Sequence, residues 1–64
     1  MPHKFILGQM VGYTPPPRQY APPGIYLVTA RLPERDGEFE YHIKHIRELQ
    51  ERIAKESELY EVPR

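Results

Sequence analysis

Apolar and polar residues alternate in four short blocks of this 64-residue chain, and Pro and Gly separate the blocks. Alternation with a period of two is typical of half-buried β-strands, because successive side chains of a strand point to opposite faces. The pattern therefore predicts one small, strand-rich domain over residues 1–64. The blocks are Phe5–Tyr13, Ile25–Leu32, Glu38–Lys44 and Glu51–Leu59.

The two middle blocks predict an antiparallel hairpin. Ile25–Leu32 is rich in β-branched and aromatic residues. Its first residues are apolar on both faces, which favours a central strand or a strand whose second face meets the Pro-rich loop. Glu38–Lys44 alternates throughout, and its core-facing positions are predicted to be Phe39, Tyr41 and Ile43. A polar five-residue connection, Pro33–Gly37, joins the two strands and ends in Asp-Gly, a strong hairpin signal.

The first block is predicted to be extended, with a turn or bulge at Gly8. Residues 14–24 follow it and contain five prolines, which exclude a helix or a central strand. We predict that this segment is an extended, polyproline-like loop that closes in a turn at Pro23-Gly24.

Residues 45–59 support two interpretations. They lack Gly and Pro, and their apolar residues fall close to helical spacing. On this evidence the fold would be α+β, a three-stranded antiparallel sheet covered by a C-terminal helix over residues 45–59. Further strands would equally cover the exposed edge of the hairpin, and helix propensity alone is a weak guide.

Four groups of residues carry a resemblance to a known family. They are Phe5-x-x-Gly8-Gln9-x-Val11-x-Tyr13, Gly24-x-Tyr26-x-Val28-Thr29 with Leu32-Pro33, Gly37-Glu38-x-x-Tyr41-x-Ile43-Lys44 and Glu51-Arg52-x-Ala54-x-Glu56-Ser57-Glu58-Leu59. These groups cover most of the chain, and they resemble a group of short, uncharacterised bacterial proteins of the alpha-proteobacterial type.

The resemblance implies an all-β fold, a small SH3-like, partly open barrel of about five short strands. It implies a strand over residues 51–54, a one-turn helix near the C-terminus with Ser57 as its N-cap, and a closing strand over residues 60–62. The chain departs from the pattern at residues 45–50, where a polar turn would be expected. We predict the barrel and keep the α+β fold as the alternative. The resemblance implies no activity.

Composition limits the classes of function. Lys plus Arg and Asp plus Glu both number 9, and this zero net charge counts against a dedicated nucleic-acid binder. The chain has no Cys, and no apolar run approaches the roughly 20 residues that span a bilayer. We therefore expect a cytoplasmic protein without a membrane partner. It is expected to be a monomer or to self-associate weakly through the Ile25–Leu27 face.

The sequence predicts no catalytic, cofactor or metal site. In a strand His42 and His45 would point to opposite faces, and both are expected on a solvent-exposed polar surface. Ser57 lies between two glutamates, whose charges oppose an activated alkoxide. No Gly-rich phosphate loop is present, and we expect that the protein is not an enzyme.

Tyrosines and arginines near the ends of segments and in the long loop are the candidate binding residues. Aromatic rings beside Arg suit contact with a peptide or a nucleobase, although rim tyrosines of a small core would give the same pattern. The sequence predicts a non-enzymatic interaction module that binds a segment of an unidentified protein through its loop face. Weak binding of RNA or single-stranded nucleic acid is the alternative. The candidate residues are Tyr13, Arg18, Tyr20, Arg31 and Tyr60.

Overall fold

The computed structural model describes residues 3–63, and in this range the protein is all-β. Five strands form one antiparallel sheet in the order β4-β3-β2-β1-β5. Within the described range the edge strands β4 and β5 are not hydrogen-bonded to each other, so the small barrel is partly open, as predicted. The elements are β1 (Met10–Tyr13), β2 (Tyr26–Arg35), β3 (Glu38–His45), β4 (Glu51–Lys55), a 3-10 turn (Glu56–Glu58) and β5 (Leu59–Glu61).

The central hairpin of β2 and β3 is confirmed, but its connection is shorter than predicted. Asp36 (φ 54°) and Gly37 (φ 85°) form a two-residue turn, and positive φ at both positions is what the right-handed twist of the strands favours. The predicted five-residue link is wrong because β2 continues through Pro33. This proline lies at a register shift between Leu32 and Glu34, where an interrupted ladder tolerates a residue without an N–H.

The C-terminal residues form strands, so the all-β prediction is confirmed and the helix over residues 45–59 is wrong. β4 pairs with β3, with Ala54 opposite Tyr41, and β5 pairs with β1, with Leu59 opposite Tyr13. Residues 46–50 turn the chain, and Leu49 adopts a positive φ of 60° there. Backbone pairing on β3 therefore outweighs the local helix propensity of this segment. In residues 3–63 no helix is long and apolar enough to cross a membrane.

The predicted capping role of Ser57 is wrong. The 3-10 turn begins at Glu56, so Lys55 precedes it and Ser57 lies inside it. The Lys55 backbone N–H donates to Glu58 Oε1 at 2.9 Å, and the Ser57 backbone N–H donates to Glu38 Oε1 at 2.9 Å. Hydrogen bonding from Ser57 lowers the pKa of the Glu38 carboxyl group. The turn is thus held by carboxylates and not by a serine cap.

The first block is less regular than predicted. β1 begins only at Met10, because the Gln9 N–H donates to the Ile6 carbonyl at 3.1 Å and Gly8 adopts a φ of 82°. Gly8 therefore marks a turn, as predicted, while the strand before it is absent. Phe5, which precedes this turn, is completely buried in the interior.

One layer of core side chains fills the space inside the curved sheet. Phe39 and Tyr13 are partly buried against this layer. The alternation of β3 explains its contribution, since every second residue of that strand faces the interior. The buried apolar residues are Phe5, Val11, Tyr26, Val28, Tyr41, Ile43, Ala54 and Leu59.

Tyr41 and Glu56 attach the N-terminal segment to the sheet. The Tyr41 hydroxyl donates to Glu56 Oε2 and accepts from the Phe5 N–H at 3.2 Å, and the Lys4 N–H donates to the same carboxylate oxygen at 2.9 Å. Burial raises the pKa of the Tyr41 phenol, and the bond to Glu56 adds to this shift. Partial burial opposes ionisation of Glu56, yet the Tyr41 hydroxyl and the Lys4 amide lower its pKa below the ordinary value.

Because the folded-state pKa of Glu56 is lowered, its carboxylate stabilises the fold above the unfolded carboxyl pKa of about 4.3. This stabilisation is lost as the pH falls through the lower folded value. We expect Glu56→Gln to reduce the free energy of unfolding by about 1–2 kcal/mol at neutral pH, and by less near pH 3. Urea denaturation at both pH values measures this, with Glu34→Gln, an exposed carboxylate of β2, as the matched control. A deficit of equal size at both pH values would contradict the assignment.

Candidate partner-binding face

The Pro-rich loop, residues 14–24, is tied to the sheet by hydrogen bonds to its carbonyl groups. The Tyr26 hydroxyl donates to the Pro22 carbonyl at 2.6 Å, His45 Nε2 lies 2.8 Å from the Pro23 carbonyl, and Arg52 Nη2 donates to the Tyr20 carbonyl at 3.1 Å. Prolines already restrict the backbone, so these three bonds hold the second half of the loop in one position. The segment contains neither helix nor strand, as predicted, but it is not extended throughout, because Pro17 and Arg18 form a turn.

His45 is the residue that joins this loop to the next turn of the chain. Its Nδ1 accepts from the Arg47 N–H at 3.1 Å and from the Glu48 N–H at 3.0 Å. An Nδ1 that accepts two bonds carries no proton, so the proton lies on Nε2 and is donated to the Pro23 carbonyl. The ring also meets Tyr26 edge-on, with the ring centres 4.9 Å apart.

The expectation that His45 faces solvent is wrong, because only 3% of the residue is exposed. His45 continues the inward alternation of Tyr41 and Ile43 by one more position, a signal that was present in the sequence. The two histidines lie on opposite faces of β3, as predicted, and His42 is partly exposed. Among residues 3–63 no group of three or more His, Cys, Asp or Glu side chains could hold a metal ion.

Arg52 is the central cation of the loop face and was missed as a site residue. It alternates inward with Ala54 on β4, and its guanidinium carbon lies 5.7 Å from the centre of the Tyr13 ring. Tyr13 in turn packs edge-on against Tyr26, with the ring centres 5.4 Å apart. Arg52 Nη2 bonds both the Tyr20 carbonyl and Gln50 Oε1, so the side chain bridges β4, β1 and the loop. In the sequence Arg52 lies among alternating cations and carboxylates, a pattern typical of a solvated surface.

Tyr20 and Arg18 provide the exposed part of the loop face. Tyr20 is 78% exposed although its carbonyl is held by Arg52. Arg18 is exposed two residues earlier, in a turn closed by a hydrogen bond from the Gln19 N–H to the Pro16 carbonyl, and it has a φ of 71°. We use the name loop face for Tyr13, Arg18, Tyr20 and Arg52.

Tyr60 and Arg31, the other two candidate residues, lie outside the loop face. Tyr60 is on the opposite side of β5 from buried Leu59, and a Cβ atom on Gly12 would overlap its ring. Arg31 lies on β2, five residues beyond Tyr26, which corresponds to about 17 Å of extended strand. Arg52 contacts two of the five predicted residues, the Tyr13 ring and the Tyr20 carbonyl, and Arg18 lies two residues from Tyr20 along the chain.

An open groove with a volume of about 690 Å³ lies beside the end of β5. Among residues 3–63 its lining includes Ile6, Met10 and Val62, the amide of Gln9 and one titratable side chain, Glu61. A single carboxylate beside an amide and apolar side chains provides neither a nucleophile with a base nor an acid–base pair.

The chain was compared with protein-family models, curated proteins and solved structures, and no match was found.

We expect His45→Ala to destabilise the fold by about 2–3 kcal/mol, because it removes a buried ring and its three partly buried hydrogen bonds to the Arg47 and Glu48 amides and the Pro23 carbonyl. His42→Ala removes the partly exposed imidazole of the same strand and should cost about 0.5 kcal/mol or less. Thermal unfolding and amide exchange at residues 47 and 48 measure both effects. Equal costs for the two variants would show that His45 does not hold the loop.

Proposed function

We propose that this protein is a non-enzymatic interaction module that binds a segment of another protein through its loop face. The supporting observation is Tyr20, a ring that is 78% exposed on a backbone held by Arg52 and by the neighbouring bonds to Pro22 and Pro23. A large exposed aromatic group on an ordered backbone loses little conformational entropy on binding. Such residues are frequent energetic centres of protein interfaces.

Arg18, two residues before Tyr20, supplies an exposed guanidinium on the same loop. Arg52 supplies a second one, whose Nη2 is already bonded within the protein. Among residues 3–63 one salt bridge is found, between His42 and Glu51 on the outer face of the sheet. Arg18 and Arg52 therefore have no carboxylate within ion-pair distance in this range. Arg18 is thus available to donate to carbonyl or carboxylate oxygens of a bound segment. A bacterial setting is part of the same proposal and rests on the resemblance of the four sequence groups to short bacterial proteins. A cytoplasmic location is proposed with it, from the composition of the chain.

Selection from a random peptide library, followed by calorimetric titration of the selected peptide, tests this function. We expect Tyr20→Ala to weaken binding by about 30-fold and Arg18→Ala by about tenfold, with the fold unchanged by circular dichroism. Tyr60→Ala is the matched control, since Tyr60 is an exposed tyrosine outside the loop face.

Peptides that bind Tyr20→Ala as tightly as the wild type would refute the role of the loop face, and so would a selection that yields no binder. A salt titration against a mixed oligonucleotide pool separates the other class of partner. Submillimolar binding of oligonucleotides that Tyr20→Ala abolishes would replace the protein segment with single-stranded nucleic acid.

A further inference from the structure

β4 is an edge strand with backbone groups that face away from the sheet. The His45 N–H donates to the Gln50 carbonyl at 2.9 Å, which fixes the phase of the β3–β4 ladder. Because hydrogen-bonded pairs alternate along an antiparallel ladder, Arg52 and Ala54 bond to β3. The backbone groups of Glu51, Ile53 and Lys55 therefore point to the free edge.

The side chains of these same three residues share the outer face of the sheet. Ala54 is buried between them, while Glu51, Ile53 and Lys55 are exposed, Ile53 by 57%. An exposed apolar residue thus lies midway between a carboxylate and an ammonium group. An edge strand with such a pattern is a template for pairing with another strand.

We infer that β4 pairs antiparallel with β4 of a second copy of this chain, about a two-fold axis at Ile53. In this register Ile53 faces its own counterpart, and Glu51 lies opposite Lys55 of the second copy. The two-fold axis repeats this pair on the other side, so every edge charge meets the opposite charge. The interface is independent of the loop face.

The charges of β3 extend this complementarity across both copies. Lys44 lies beside Glu51, and Glu40 lies beside Lys55. When the two edges pair, four side chains of alternating charge lie in one row across the strands. The row runs from Lys44 and Glu51 of one copy to Lys55 and Glu40 of the other. A parallel, in-register arrangement would instead place Glu51 next to Glu51, so the charges favour the antiparallel register.

The bond from the Lys55 N–H to Glu58 marks where the shared ladder ends. The Ile53 N–H and carbonyl and the Glu51 N–H remain to bond the second copy, while the Lys55 carbonyl begins the 3-10 turn. The opposite edge of the sheet is less suited to self-pairing. β5 has only three residues, of which Glu61 is a carboxylate and none is a cation, and Glu58 directly precedes the strand.

Two charge variants test the register. Glu51→Lys leaves two cations on the edge and Lys55→Glu leaves two anions, so each variant opposes like charges in its own dimer. Light scattering over a concentration series should show wild-type dimers with a dissociation constant on the order of 0.1 mM, and dimerisation of each variant weakened about tenfold or more. An equimolar mixture of the two variants should dimerise like the wild type, since each cation then meets an anion.

Ile53→Pro provides a second test, because it removes an N–H that faces the edge and leaves the bonds to β3 in place. We expect this variant to be a folded monomer, and the wild-type Ile53 amide to exchange more slowly at dimer-forming concentrations. A wild type that stays monomeric up to about 1 mM would overturn the inference. Homodimers of both charge variants as tight as the wild type would overturn it as well.

Discussion

The 3-10 turn at Glu56–Glu58 is the constraint on which the rest of this structure depends. It sends the chain from β4 on one edge of the sheet to β5 on the other, so the C-terminal residues cover both ends of a five-stranded sheet. A chain of this size buries only about 60% of the surface that its unfolded state exposes. Curving one sheet around a single layer of side chains lets it bury aromatic rings that a flat sheet would leave in water.

Buried polar groups position the surface segments of this small core. The Tyr41 hydroxyl holds the N-terminal segment through Glu56, and the His45 ring holds the Pro-rich loop through Pro23. Both side chains belong to the inward-facing row of β3, so one strand organises the two irregular segments of the fold. The loop face is consequently ordered by the core, and its exposed ring projects from a fixed backbone.

Periodicity predicted the hairpin, and the resemblance predicted the barrel, but neither predicted which polar residues would be buried. Residues 45–59 favour a helix locally, and pairing with the free edge of β3 explains why residues 51–55 extend instead. His45 follows the burial alternation of its strand. Because histidine side chains are often exposed, this alternation alone does not predict that the His45 ring is buried. Arg52 could not be identified, because its contacts come from β1 and from a loop more than thirty residues away in sequence.

The attachment of the N-terminal segment has a consequence for how the chain acquires its structure. The bond from Lys4 to Glu56 joins residues 52 positions apart, and Phe5 meets Tyr41 across 36 positions. Contacts this distant in sequence slow folding, because a long stretch of chain must be immobilised before they form. A chain that still lacks Glu56 has no carboxylate for the Lys4 amide and the Tyr41 hydroxyl, so the N-terminal segment acquires its attachment late.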